Sequence, residues 1–309
     1  MKKRTILSTM LAVLLLLAMV ACSSGAGSGS AKEDTITIYE GQYSEMWIMH
    51  SMVKLLVEEH TDAKVVILDE MAPVQSYNEL LRGNSDLMNC YDGTLLTTYL
   101  HLDPADVPQG TSLYDFVNQE AAKKEIRLLD KLGINNTYAV AVPQRIADQH
   151  KLKTISDLVP VAGQLVFGAE HDFFTEEGSA KYNPMVSFYG LSFKEGRQLD
   201  INLKYSAVES GNIDVTLAYS TDGLNKKHQL VILEDDRSFF PEYNGAILIR
   251  EDLLTRLAQT APNLEEVLNM LGGLFTDEEM VELTYAVDVD GRDVTEVARE
   301  YLKGKGLLG

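Results

Sequence analysis

"GNSDLMNCYDG", Gly83–Gly93, and "GNIDVTLAYSTDG", Gly211–Gly223, are one short pattern written twice in the same chain. Each begins Gly-Asn-x-Asp, and each places a tyrosine (Tyr91, Tyr219) eight positions after its first glycine, with an Asp-Gly pair soon after. In each copy a short helix is predicted to end at the Gly-Asn turn, since glycine accepts the left-handed conformation that closes a helix. The aspartate then opens a strand, and the tyrosine sits at its C-terminal end. Ligands of open α/β sheets bind outside the carboxyl ends of strands. Gly-Asn-x-Asp is also a good helix-to-strand turn with no further meaning. Turn, spacing and terminal tyrosine together favour two similar α/β units that face one cleft.

The flanking sequence supports alternation. "TITIY" (Thr35–Tyr39) reads as a strand, and Ser44 is placed to cap a helix through "EMWIMHSMVKLLVEEH". "KVVILDE" reads as a buried strand, "SYNELLRG" as a short helix with Ser76 and Glu79 at capping-box spacing, and "DLMNCY" as the next strand. "YDFVNQEAAKKEIRLLDKLG" reads as helical throughout, "NNTYAVAV" as a strand, and strand–helix alternation continues to about Asp236. After the strand "GAILIR" the chain is helical, with capping-box spacing at Asn263/Glu266, Thr276/Glu279 and Asp293/Glu296. This rhythm predicts an α/β protein with a largely parallel sheet.

The chain has 309 residues and a net charge of −19, which argues against nucleic acid as a partner, because phosphate binding needs clustered cations. Residues 1–21 read as a signal peptide, with a cationic "MKKR" ahead of the apolar "LAVLLLLAMVA". "AMVAC" resembles a bacterial lipobox, which makes Cys22 the expected lipidation site and residues 22–33 a flexible Gly/Ser tether. The expected location is extracytoplasmic, lipid-anchored to the bacterial cell membrane. Cys90 then has no partner, and in its apolar strand it reads as a small buried residue.

No enzyme motif is present. The six histidines form no HExxH or i,i+4 metal pair, and there is no nucleophile elbow, P-loop or dinucleotide fingerprint. "DVDGRD" (Asp288–Asp293) puts its glycine at the fourth position rather than the calcium loop's sixth, and reads as a turn. No cofactor, metal or catalytic residue is expected. Tyrosine stands out instead, at fourteen against one tryptophan, with Tyr43, Tyr91, Tyr138, Tyr219 and Tyr243 at strand ends or in loops suited to a cleft. A ring of tyrosine faces attracts a cation, and a quaternary ammonium suits it best because it has no N–H to satisfy.

"INNTYAVAV", "YSAVESGNIDV", "AYSTDG" and above all "LEDDRSFFPEYNGAILIREDLL" resemble the substrate-binding proteins of osmoprotectant ABC importers, which handle glycine betaine, choline and carnitine. The resemblance runs from about Ile36 to the C-terminus. It implies a two-lobed, venus-flytrap fold with two chain crossings, near Asn135–Tyr138 and Glu234–Ser238. Lobe 1 would combine residues 34–135 with 238–309, and lobe 2 would be 136–237. It also implies an ABC permease and its ATPase as partners. Matching motifs carry the family's cage tyrosines onto Tyr91 (with Thr94 at the threonine of the same segment), Tyr138, Tyr219 and Tyr243.

Two departures concern the ligand's other end. Many betaine-binding members hold a carboxylate with a lysine before the first helix and an arginine in the second lobe; here Gly41 and Glu176 fall at those positions. Asp92 beside Tyr91 adds a further acid. A carboxylate without cationic partners forgoes charge-assisted hydrogen bonds. The expected ligand is therefore a cation without a carboxylate, choline first. The alternatives are a glycine betaine or carnitine binder, a ligand sensor, or a secreted enzyme using Cys90 or an acidic pair.

Overall fold

The structure, a computed structural model, describes residues 34–174, 180–200 and 203–309. The residues read as a signal peptide, a lipidated Cys22 and a tether, and also Glu176, lie outside the described residues. Among the described residues no helix is long and apolar enough to cross a membrane.

Among the described residues ten strands, β1 Thr35–Glu40, β2 Lys64–Glu70, β3 Leu87–Tyr91, β4 Ile126–Leu128, β5 Tyr138–Pro143, β6 Val166–Glu170, β7 Glu195–Leu199, β8 Val215–Tyr219, β9 Leu230–Ile232 and β10 Gly245–Arg250, are divided between two lobes. In the first lobe β1 pairs with β2, and β10 lies between β3 and β4. In the second the order is β7-β6-β8-β5-β9. Ile36, Ile38, Ile48 and Met49 pack with C-terminal residues such as Leu268 and Leu302 in one core. Val140, Phe167, Phe173 and Val215 form another, which also takes Phe240, with Phe239 packed against it.

The duplicated pattern has one geometry in both places. Gly83 and Gly211 hold φ of +77° and +72°. The next residues, Asn84 and Asn212, each donate a backbone N–H to a carbonyl in the helix just ended, Glu79 O and Ala207 O, both at 2.9 Å. Each aspartate then clamps a neighbouring strand with both its backbone and its carboxylate. Asp86 N donates to Thr37 O at 2.8 Å, while Thr37 N donates to Asp86 Oδ2 at 2.8 Å. Asp214 N donates to Val166 O at 2.8 Å, while Val166 N donates to Asp214 Oδ2 at 3.1 Å. The carboxylate supplies the acceptor that a strand carbonyl would otherwise provide for a buried N–H.

The sheets are mixed, not largely parallel. β1/β2 and β7/β6/β8 are parallel, but β10 is antiparallel to both β3 and β4, and β5 to both β8 and β9. The antiparallel strands β5 and β10 are those that follow the crossings between lobes. The segments that lead into β5 and β10 lie side by side: Asn136 N donates to Tyr243 O at 3.0 Å, and Tyr243 N donates to Asn135 Oδ1 at 2.6 Å. Strand direction is thus imposed by the return of the chain, which hydrophobic periodicity does not encode.

Other expectations are corrected locally. The stretch read as one helix after Tyr114 stops at Ala122, and β4 follows after Glu125 at φ +58°, with Ile126 and Leu128 buried and Arg127 half-buried. β2 is not a buried strand; Lys64 and Val66 are exposed while Val65 is buried. Ser44 is not a cap but the first helical residue of Ser44–His60, and its hydroxyl donates to Asp288 at 2.6 Å. Ser76 lies inside Pro73–Arg82, whose start is set by Pro73. The capping box at Thr276/Glu279 is complete, whereas Asn263 makes no side-chain cap bond. Cys90 packs with Met88 and Leu95, and burial pushes its thiol pKa up.

Candidate functional site

A cavity of about 610 Å³ receives side chains from both lobes. Tyr91 ends β3 beside Gly245 of antiparallel β10, while Tyr219 ends β8 directly opposite Tyr138 of antiparallel β5. The two copies of the opening pattern thus deliver their tyrosines to one space. Tyr138 and Tyr219 rings lie 5.5 Å apart, inclined by 46°. Tyr243 lies so close over Gly93 that a Cβ there would sit 2.9 Å from its ring, so the glycine admits the tyrosine. Tyr43 and Thr94 also line the cavity. Burial and neighbouring acids raise the Tyr43 and Tyr138 hydroxyl pKa values to about 12, and those of Tyr91 and Tyr219 rise for the same reasons. All four rings stay neutral at pH 7.

Asp92, expected beside the ligand, is not among the lining residues. Its side chain is fully buried and accepts from Gly93 N at 2.7 Å, Asn244 N at 2.9 Å and Asn244 Nδ2 at 2.7 Å. The acid ties the loop after β3 to the segment before β10. Gly41 also lies outside the lining, with its carbonyl accepting from Trp47 Nε1 at 2.6 Å.

Residues that sequence reasoning passed over complete the wall. Glu45, fully buried, accepts from Thr221 Oγ1 at 2.6 Å and Asn136 Nδ2 at 3.3 Å, and from the Tyr91 hydroxyl. It joins the first helix, a crossing segment and the loop after β8. Burial raises its pKa, while these donors oppose the rise. Lys204, wholly buried, places Nζ 3.2 Å from Glu170 Oε2, 4.8 Å over the Tyr219 ring and 5.3 Å over the Tyr205 ring. Desolvation lowers its pKa, against the attraction of Glu170 and Asp222. Asp222 accepts from the Tyr205 hydroxyl, and Asp288 is the third carboxylate in the wall. An acid in the first turn of a helix is ordinary, so Glu45 carried no signal. Lys204 carried one: it stands four residues before buried Val208, on the inner stripe of its helix.

The sequence profile of the family described as the substrate-binding domain of ABC-type glycine betaine transport systems matches residues 34–304. The chain belongs to this family. Among family relatives, the carnitine transport binding protein OpuCC of Listeria monocytogenes is 30% identical over 307 residues, covering 98% of this chain and 97% of that one. The ergothioneine transport permease/ergothioneine binding protein EgtU of Helicobacter pylori is 30% identical over 310 residues, covering 99% of this chain and 54% of that one. A crystal structure described as a glycine betaine/carnitine/choline ABC transporter superposes with a TM-score of 0.79 at 30% identity, covering 88% of this chain and 99% of that one. Family membership makes this chain a substrate-binding protein of an ABC importer, and a two-lobed α/β architecture is the family's own.

Proposed function

We propose that this chain is an extracytoplasmic, lipid-anchored binding protein that captures a small quaternary ammonium compound without a carboxylate, choline-like, and delivers it to an ABC permease and its ATPase. Tyr91, Tyr138, Tyr219 and Tyr243 form the cage, with Tyr43 and Thr94 at its margin. Residues 34–135 with 238–309 form one lobe and 136–237 the other, with Phe239 and Phe240 packed against the second. Cys22 carries the lipid.

The observation that carries this reading is the convergence of six tyrosines, Tyr205 among them, from both lobes on one cavity. Each tyrosine face contributes roughly 0.5–2 kcal/mol toward a cation, so four supply about 2–8 kcal/mol, against the ~8 kcal/mol of a micromolar ligand. The charge of the wall supports a ligand without a carboxylate: Glu45, Asp222 and Asp288 line it, and Lys204, the one lysine among the described lining residues, is already paired with Glu170. The names of the relatives support a second reading, in which the ligand is carnitine, glycine betaine or a larger ammonium compound such as ergothioneine.

A thermal-shift screen of the purified mature chain tests the class. Choline and its close analogues raise the melting temperature most. A screen in which only carboxylate-bearing compounds do so supports the second reading, and one in which no ammonium compound does so overturns both.

A further inference from the structure

Lys204 is wholly buried, yet it lines the cavity. An ammonium has three N–H donors. The hydrogen bond that Lys204 makes among the described residues goes to Glu170. Its remaining surroundings include the faces of Tyr219 and Tyr205, which attract its charge but offer no lone pair. A buried ammonium with donors unspent beside a ligand cavity is a place for an acceptor.

The neighbours decide which acceptor. Glu170 Oε2 is paired with Lys204, and Glu170 Oε1 accepts from the Tyr219 hydroxyl at 3.2 Å. Asp222 stands next to them, accepting from the hydroxyl of the same Tyr205 whose ring faces the ammonium. A ligand carboxylate at this point would be a third acid around one cation, whereas a hydroxyl takes an N–H and leaves the ion pair intact.

We infer that Lys204, with its charge matched by Glu170, is a specificity-determining residue that donates to a neutral hydroxyl on the ligand and so selects an ammonium alcohol over an ammonium acid. This rests on the quaternary ammonium reading above. It turns Glu170, which does not line the cavity, into a positioning residue acting through Lys204.

Titration calorimetry with three probes separates the two ideas. Tetramethylammonium has the cation and no acceptor, choline adds a hydroxyl, and glycine betaine adds a carboxylate. The wild type binds choline about tenfold more tightly than tetramethylammonium, the effect of one hydrogen bond to a charged donor. In Lys204→Met that ratio falls to within about twofold. In Glu170→Gln, which keeps the side chain's shape, the freed charge of Lys204 improves glycine betaine relative to choline by about tenfold.

An unchanged choline-to-tetramethylammonium ratio in Lys204→Met, or an unchanged betaine-to-choline ratio in Glu170→Gln, overturns the assignment while leaving the cage in place. If Lys204→Met does not fold, the Glu170→Gln ratio decides alone. Failure of the folded wild type to bind any of the three overturns the quaternary ammonium reading, and this assignment with it.

Discussion

Replacing Tyr219 with alanine removes several interactions at once. Its ring lies 5.5 Å from that of Tyr138, sits 4.8 Å beneath the Lys204 ammonium, and carries a hydroxyl that donates to Glu170 at 3.2 Å. For the ligand, the loss is one aromatic face, about 0.5–2 kcal/mol, together with exclusion of water from that side of the cation, another ~1 kcal/mol. A combined loss of about 1.5–3 kcal/mol weakens binding by about 10- to 150-fold. Tyr219→Phe separates the face from the hydroxyl. It keeps the ring and loses only the bond to Glu170, so affinity falls by no more than about fivefold. Calorimetry on the mature chain, with circular dichroism to establish that both variants fold, reads the result. An unchanged dissociation constant in Tyr219→Ala refutes the placement of this ring against the cation. Equal losses in the two variants refute it differently, because the hydroxyl would then be the contact.

Other expectations follow from the same contacts. Asp214→Ala leaves the Val166 N–H without the side-chain acceptor it has at 3.1 Å and costs about 1–2 kcal/mol of stability; Asp86→Ala also breaks the 2.6 Å pair with Arg256 and costs more, about 2–4 kcal/mol, both measurable by urea denaturation. Gly223→Ala lowers the melting temperature by several degrees, because its Cβ would lie 2.4 Å from Tyr285 N on the facing helix. Burial raises the folded-state pKa of Glu45 above its unfolded value. The folded state therefore holds more protons between those two values, and stability falls as pH rises through that window. Glu45→Gln removes this part of the pH dependence, which paired melts across acidic pH check.

The duplicated pattern was readable because its parts obey local rules: a glycine that closes a helix, an aspartate that opens a strand, a tyrosine at the end of the strand. Tyr43, Thr94, Tyr91, Tyr138, Tyr219 and Tyr243 line one cavity from strand ends and the segments beside them, and composition already singled out tyrosine. Strand direction in β5 and β10 was not readable, since it depends on where a distant segment returns. β4 was hidden because three alternating residues after a helix resemble one more helical turn until Glu125 breaks the path. Asp92 and Lys204 show the limit of reading side chains singly. The acid next to Tyr91 turns inward onto Asn244, and Lys204, whose place on the inner stripe showed burial but no partner, meets Glu170 of another element beside Tyr219. Both placements follow from which neighbour supplies a partner, a property of the assembled fold.

The central claim, a cation held by tyrosines without a carboxylate clamp, is tested most directly by calorimetry of the purified mature chain with choline and with glycine betaine in the same buffer. Choline is expected to bind with micromolar or tighter affinity, and glycine betaine more weakly. Tighter binding of glycine betaine, or no binding of either by the folded protein, would contradict it.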